Sequence, residues 1–252
     1  MISQRELKYY SSLLIKKFRT EENKFVVEGS KIVEEGLASN FNCEVVFATP
    51  SFIDSFPEVI NTIQNKVRKF VQLKSIEFQK ISDTRSPQGI AAVFSKPISR
   101  KELNDVKDKF IVMIDNISDP GNLGTILRTS DWFGIKTVLI SNQSVEYLNP
   151  KVIRASMGSI FHLNIYENIS EEELLKLKQT GYKIFCSDLD GQNIFNFSES
   201  SKSIITFSNE SSGPSQQINN IADGFITIPK KGKAESLNVS SAAAIILSQI
   251  TK

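Results

Sequence analysis

The sequence predicts an α/β protein: a C-terminal, mainly parallel sheet with helices on both faces, preceded by a smaller α/β unit. Three observations predict it. Short apolar runs recur along the chain and are mostly separated by helix-length segments, the pattern of parallel β-α units. A charged, proline-containing stretch near residue 100 breaks that pattern in two. The 252 residues, 40% hydrophobic and 23% charged, suffice for two modest cores and lack the bias of a disordered or membrane chain.

The first segment, Met1 to Ser12, carries Arg5, Glu6 and Lys8 and no apolar stretch of signal-peptide length. No later run is long enough to span a bilayer, so a cytoplasmic protein is expected. From Lys24 to Ala92, β-like runs (Phe25 to Val27, Cys43 to Ala48, Ile90 to Phe94) alternate with helix-like ones such as Ser30 to Ala38. This defines an N-terminal unit over residues 1–95. Ser95 to Lys109 contains Pro97, five basic and three acidic residues with little apolar content, which reads as an exposed linker over 96–109. The second domain then spans 110–252. Its strand candidates are Phe110 to Ile114, Thr137 to Ile140, Ile160 to Ile165, Lys183 to Cys186, Ser203 to Phe207 and Phe225 to Ile228.

Charge and cysteine content exclude some classes. A net charge of +2 does not by itself mark a nucleic-acid binder, because that signal needs concentrated basic residues. Two basic clusters do lie in the N-terminal third, from Arg5 to Lys24 and from Lys66 to Arg85. They read equally as an RNA-facing surface or as solvated helix faces and guarded strand edges. The two cysteines, Cys43 and Cys186, are too few for a disulfide framework or a cysteine zinc site, and read as buried thiols.

In a parallel sheet, ligands sit at the carboxyl ends of the strands, and three of the loops expected there have unusual sequences. The first, Asp115 to Gly124, contains the turn Asp119-Pro120-Gly121 followed by Asn122, a candidate cap, and a helix carrying Arg128. Asn122 and Arg128 are expected near the start of that helix, facing one cleft, with Arg128 suited to a phosphate. The second, Ser208-Asn209-Glu210-Ser211-Ser212-Gly213, offers small residues that let backbone amides approach a ligand, and Glu210 to orient a positive or hydroxyl group. By itself a glutamate in a serine-rich loop is more often solvated. The third, Ile228-Pro229-Lys230-Lys231-Gly232 through Ser240, leads into the small-residue helix Ser241 to Leu247, with Ser236 or Asn238 as its cap. His162, the sole histidine, alternates with apolar neighbours and reads as structural or surface rather than as a base. Trp132 is expected to pack against the sheet or a partner.

Taken together, the three segments resemble the motifs of the SpoU (TrmH) family of RNA ribose methyltransferases. The first is matched at Asn116, Asp119, Pro120, Gly121, Asn122, Gly124, Arg128 and Thr129. The third is matched at Ile228, Pro229, Gly232, and Glu235 through Ser240. The second keeps Asn209, Glu210 and Gly213, but has Ser208 where family members usually have glycine. Phe25-Val26-Val27-Glu28-Gly29 and Ser86-Pro87-Gln88-Gly89-Ile90 resemble the family's N-terminal substrate-binding domain, which is similar to small RNA-binding ribosomal proteins.

The resemblance implies a trefoil-knotted catalytic domain that binds S-adenosylmethionine. It further implies a homodimer with its sites at the subunit interface, and transfer of a methyl group to a ribose 2′-hydroxyl, most closely of 23S ribosomal RNA. It implies Arg128 as the catalytic residue, with Asn122, Glu210, Ser236 and Asn238 completing the polar shell. The cofactor-binding positions it implies are Phe207, Ser208, Asn209, Gly213, Ile228, Leu237 and Asn238. Lys230 and Lys231 are expected to project toward RNA. Neither a metal nor a membrane is implied. The alternatives are a non-catalytic RNA-binding protein that retains the fold, and a transfer-RNA ribose methyltransferase. A generic nucleotide-binding enzyme would carry a glycine-rich phosphate loop of Walker or dinucleotide type, and the sequence has neither.

Overall fold

The computed structural model of the chain describes residues 2–97, 102–198, 201–209 and 212–252. They form two compact units, residues 1–100 with 148–161, and residues 101–147 with 162–252.

The first unit opens with helices α1 (Gln4–Ser12) and α2 (Lys16–Glu22). Ser3 and Glu6 close a reciprocal capping box on α1, which satisfies two amides that the first turn leaves without helical partners. There follow β1 (Lys24–Glu28), α3 (Ser30–Ala38), β2 (Asn42–Ala48), α4 (Pro50–Ser55), α5 (Pro57–Gln64), β3 (Phe70–Gln72), α6 (Ser75–Ile81) and β4 (Ile90–Ser95). The sheet order is β1-β4-β2-β3. β4 lies antiparallel between β1 and β2, and β3 pairs parallel to β2. One face buries Leu7, Tyr10, Val26, Phe47, Leu73 and Phe78. Glu28 is buried and accepts hydrogen bonds from Ser82 Oγ at 2.6 Å and from the Gln88 amide at 2.7 Å. The carboxylate thus anchors the segment containing Ser86 to Gly89.

The second unit begins with β5 (Phe110–Asp115), α7 (Pro120–Trp132) and β6 (Thr137–Ser141). Residues 148–161 then belong to the first unit and hold α8 (Pro150–Ser156) and a 3-10 turn (Ser159–Phe161). The second unit continues with β7 (Asn164–Ile169), α9 (Glu171–Gln179), β8 (Tyr182–Asn193), β9 (Lys202–Ser208), α10 (Gln216–Ile221), β10 (Gly224–Thr227) and α11 (Val239–Ile250). The strand order is β10-β8-β9-β5-β6-β7, and every ladder is parallel. Helix α11 packs on α7. The strands carry near-continuous apolar runs such as Ile204 to Phe207, as burial on both faces demands.

Three local expectations change. The strand expected from Ile160 to Ile165 begins only at Asn164. Ile160 is buried in the preceding 3-10 turn, and the Phe161 ring packs against Phe25, Phe41 and Phe94 in the first unit. Apolar content identified these residues as core, but not which core. The linker is less exposed than its charge suggests: Val106 is buried with Ile111, Tyr182 and Ile184, and the Tyr182 hydroxyl donates to the Asp108 carbonyl at 2.7 Å. Residues 98–101 of that linker lie outside the described residues.

The third change is in β8, which is much longer than expected. Phe225 of β10 pairs with Cys186, yet the next residue, Ile226, pairs with Gln192. Residues 187–191 therefore leave the ladder, and pairing resumes at Gln192. A Cβ at Gly191 would lie 2.6 Å from the backbone of Phe225, so the approach of β10 requires glycine there. Among the described residues no helix is long and apolar enough to cross a membrane. Gly191→Ala is expected to overpack this junction and lower stability by ~1–3 kcal/mol, measured as a reduced urea midpoint with an unchanged m-value.

Candidate active site

All six strands of the second unit run parallel, so their carboxyl ends share one edge, where the loops after β5, β8, β9 and β10 gather. The loop after β5 starts at Asn116, whose φ of 57° is one that asparagine tolerates better than most residues. It is held from the β6 side: the Asn116 amide donates to Ser141 Oγ at 3.0 Å and the Ile117 amide to Ser144 Oγ at 3.2 Å. Asp119 caps α7 by accepting from the Asn122 amide at 2.7 Å. The cap expected at Asn122 is therefore supplied by Asp119, which leaves the Asn122 side chain for another contact.

Asp115, the last residue of β5, is buried and lies opposite Ser208 in the ladder with β9. Its Oδ2 accepts from Ser208 Oγ at 3.2 Å and from the Ser215 amide at 2.7 Å. Ser208 ends β9 and Ser215 caps α10. One buried carboxylate therefore holds both ends of the loop 209–214. Within that loop the Gly213 amide donates to the Asn209 carbonyl at 2.9 Å, and Gly213 has a φ of 65° that favours glycine.

Between these loops lies a cavity of about 550 Å³. One wall is the excursion of β8, with Ser187, Asp188 and Leu189. A second is the loop after β9, with Ser208, Asn209, Ser212 and Gly213. The third is the run from Thr227 to Leu237, and Val239 and Ala242 of α11 complete the lining. Beside it Asn238 caps α11, accepting from the Ser240 amide at 3.0 Å, while its Nδ2 donates to Asn122 Oδ1 at 2.9 Å. That bond joins the starts of α7 and α11.

Residues 109–248 match the SpoU rRNA Methylase family. The chain belongs to that family. Residues 4–92 match the MRM3-like substrate binding domain. A relative from Bacillus subtilis, described as the 23S rRNA (guanosine(2553)-2′-O)-methyltransferase RlmP, is 29% identical over 96% of this chain and 94% of its own. A TrmH-family structure from Porphyromonas gingivalis superposes with a TM-score of 0.87 at 31% identity, covering 99% of this chain and 98% of that one. The SpoU methyltransferase AviRb from Streptomyces viridochromogenes, solved with AdoMet, superposes at 0.88 with 22% identity over 99% and 97% of the two chains.

The SpoU motif residues divide into two groups in this fold. Ser208, Asn209, Gly213, Ile228, Ser236 and Leu237 line the cavity. Phe207 does not: its side chain is fully buried in β9. Glu210 lies outside the described residues. Asn122 and Asn238 meet each other beside the cavity, and Arg128 is exposed and not part of the lining. Neither Asn122 nor Arg128 is in the lining of this cavity, and the helix points them in different directions. The helix carrying them runs to Trp132, and six residues rotate by roughly 600°, which leaves the two side chains about 120° apart around its axis. Sequence reasoning missed Ser187, Asp188 and Leu189, because only the register shift of β8 against β10 places them at the cavity.

Other polar groups have ordinary explanations. His162 Nδ1 lies 2.8 Å from Asp131 Oδ2, a half-exposed pair away from the cavity lining. Burial pushes the Cys186 thiol up to about 12 and the Cys43 thiol up to about 11. Both therefore stay protonated near neutral pH and neither supplies a thiolate.

Two outcomes are expected. Ser208→Ala removes one bond to the buried Asp115 and loosens the loop 209–214, raising the cofactor Kd by roughly 3- to 10-fold; calorimetric titration measures it. The native protein resists iodoacetamide at pH 8 at both cysteines, whereas the urea-unfolded chain is alkylated at both, as mass spectrometry reads.

Proposed function

We propose that this SpoU-family chain transfers a methyl group from S-adenosylmethionine to a ribose 2′-hydroxyl of large ribosomal RNA. The observation that carries the reading is the cavity built from the loops of the second and third family motifs at the carboxyl edge of the sheet. Its volume lies in the range of cofactor sites, and its lining suits the molecule. Ile228, Leu237 and Val239 offer apolar surface for the adenine ring, and Asn209 and Ser236 offer hydrogen-bonding groups. Gly213 leaves the loop backbone open to close approach. The relative from Bacillus subtilis named for 23S rRNA, aligned over nearly the whole of both chains, supports the choice of RNA.

The cofactor supplies an electrophilic methyl group, and the protein has to orient the acceptor and manage its proton. Arg128 is the group we assign to the RNA. An arginine retains its charge in proteins and grips phosphate bidentately. It anchors the phosphate beside the reacting ribose and stabilises the alkoxide that develops, while the proton leaves through phosphate or water. Asn122 and Asn238, bonded to each other, position the starts of α7 and α11. Glu210 and Ser236 complete the polar shell in this reading.

A homodimer accounts for the separation of Arg128 from the cavity of its own chain. A second copy would present its Arg128 to that cavity. Trp132, on the same helix, is 84% exposed, and Leu237 is 48% exposed, as expected of apolar side chains awaiting a partner. Trp132 is too exposed to pack on the sheet of its own chain, and a partner surface is the placement that this reading gives it. The likeness to the Bacillus subtilis relative over nearly the whole chain supports a cytoplasmic enzyme in this reading, and Lys230 and Lys231 on the exposed loop are available to phosphates.

The test is calorimetric titration with S-adenosylmethionine, followed by a labelled-methyl assay on unmodified 23S RNA and nucleoside analysis of the product. A 2′-O-methylated nucleoside is expected; methyl found on a base instead would overturn the reading. Arg128→Ala is expected to cut methyl incorporation by ~100-fold or more, with thermal stability and cofactor Kd near wild type.

A further inference from the structure

We infer that Asp188 makes the cavity prefer the cationic sulfonium cofactor over the neutral thioether that remains after methyl transfer. The inference rests on the cofactor reading above and is independent of which RNA is methylated. Asp188 stands in the excursion that β8 makes between its two stretches of pairing with β10, and it lines the cavity. It is half-buried. The other ionisable side chains in the lining among the described residues, Lys230, Lys231 and Glu235, are exposed.

The carboxylate is oriented by its own loop. Its Oδ1 accepts from the Leu189 amide at 2.6 Å and the Asp190 amide at 3.4 Å. Its Oδ2 faces the loop after β9, 3.7 Å from where a Cβ on Gly213 would stand. Among the described residues that oxygen has no hydrogen-bond donor and the carboxylate forms no ion pair, so the cavity holds one oriented, half-buried carboxylate.

S-adenosylmethionine and S-adenosylhomocysteine differ by one methyl group and one positive charge, so a negative charge beside both selects the first. A cavity of about 550 Å³ keeps most of a bound cofactor within the ~8 Å screening length of physiological salt. Asp188 therefore acts on the sulfonium without needing contact with it. The exposed lysines are screened by water and salt, whereas a half-buried carboxylate acts through a lower effective dielectric. Methyl transfer removes the positive charge, and the attraction to Asp188 goes with it, which favours exchange of product for fresh cofactor.

The experiment is calorimetric titration of the full chain with each ligand, for wild type, Asp188→Asn and the control Asp190→Asn. Asp190 is exposed and outside the cavity lining. Asp188→Asn is expected to raise the S-adenosylmethionine Kd about tenfold and the S-adenosylhomocysteine Kd less than about twofold, with an unchanged melting temperature. Asp190→Asn moves neither. Equal losses for both ligands, in a variant that melts like wild type, would show a hydrogen bond common to both and overturn the inference, as would no change for either. A wild-type chain that binds neither ligand overturns the cofactor reading itself.

Discussion

The buried carboxylate of Asp115 is the constraint on which the rest of the site depends. It closes β5, accepts the hydroxyl at the end of β9 and the amide at the start of α10, and so fixes where the intervening loop enters and leaves the sheet. A charge taken out of water must be compensated by hydrogen bonds. The compensation here comes from the two residues that bracket the loop after β9, so the ladder and one wall of the cavity share a single anchor. Ser208 lies in β9 in extended conformation and outside the positive-φ residues. Serine in place of the family's usual glycine therefore carries no backbone strain, and its hydroxyl adds a bond that glycine cannot make. At Ser208, therefore, the departure from the family's glycine is no ground for expecting a lost cofactor; a second departure, at Ser211, lies outside the described residues.

A second constraint is the parallel sheet itself. Parallel strands bring every carboxyl end to one edge, so loops separated by more than a hundred residues, such as those holding Asn122 and Asn238, can share a hydrogen bond. The same arrangement explains why the cavity has three walls of different chemistry. The excursion of β8 contributes a carboxylate, the loop after β9 contributes small residues, and the run before α11 contributes apolar side chains beside lysines. Arg128 is exposed and belongs to none of the three walls.

The sequence by itself determined a good deal. Strand and helix positions followed from apolar periodicity, as at Ser30–Ala38 and Thr137–Ser141, because local patterning is read directly by the backbone. Composition marked a break near residue 100 but not the assignment of residues 148–161, expected in the second domain, to the first unit; the three motif loops were legible from residue identity, and six motif residues line the cavity. The family, and with it the class of reaction, could be read from the motifs, since their residue types and spacing are chemical requirements of one site.

Tertiary structure decided the rest. Which core takes Phe161, how Val106 turns a charged linker inward, and how β8 leaves its ladder to place Asp188 at the cavity depend on contacts between segments distant in sequence. No periodicity encodes a register shift, because the partner strand that imposes it, β10, comes more than thirty residues later. The separation of Asn122 from Arg128 was hidden for a related reason. Spacing along a chain becomes direction only when the length of the helix and its neighbours are known.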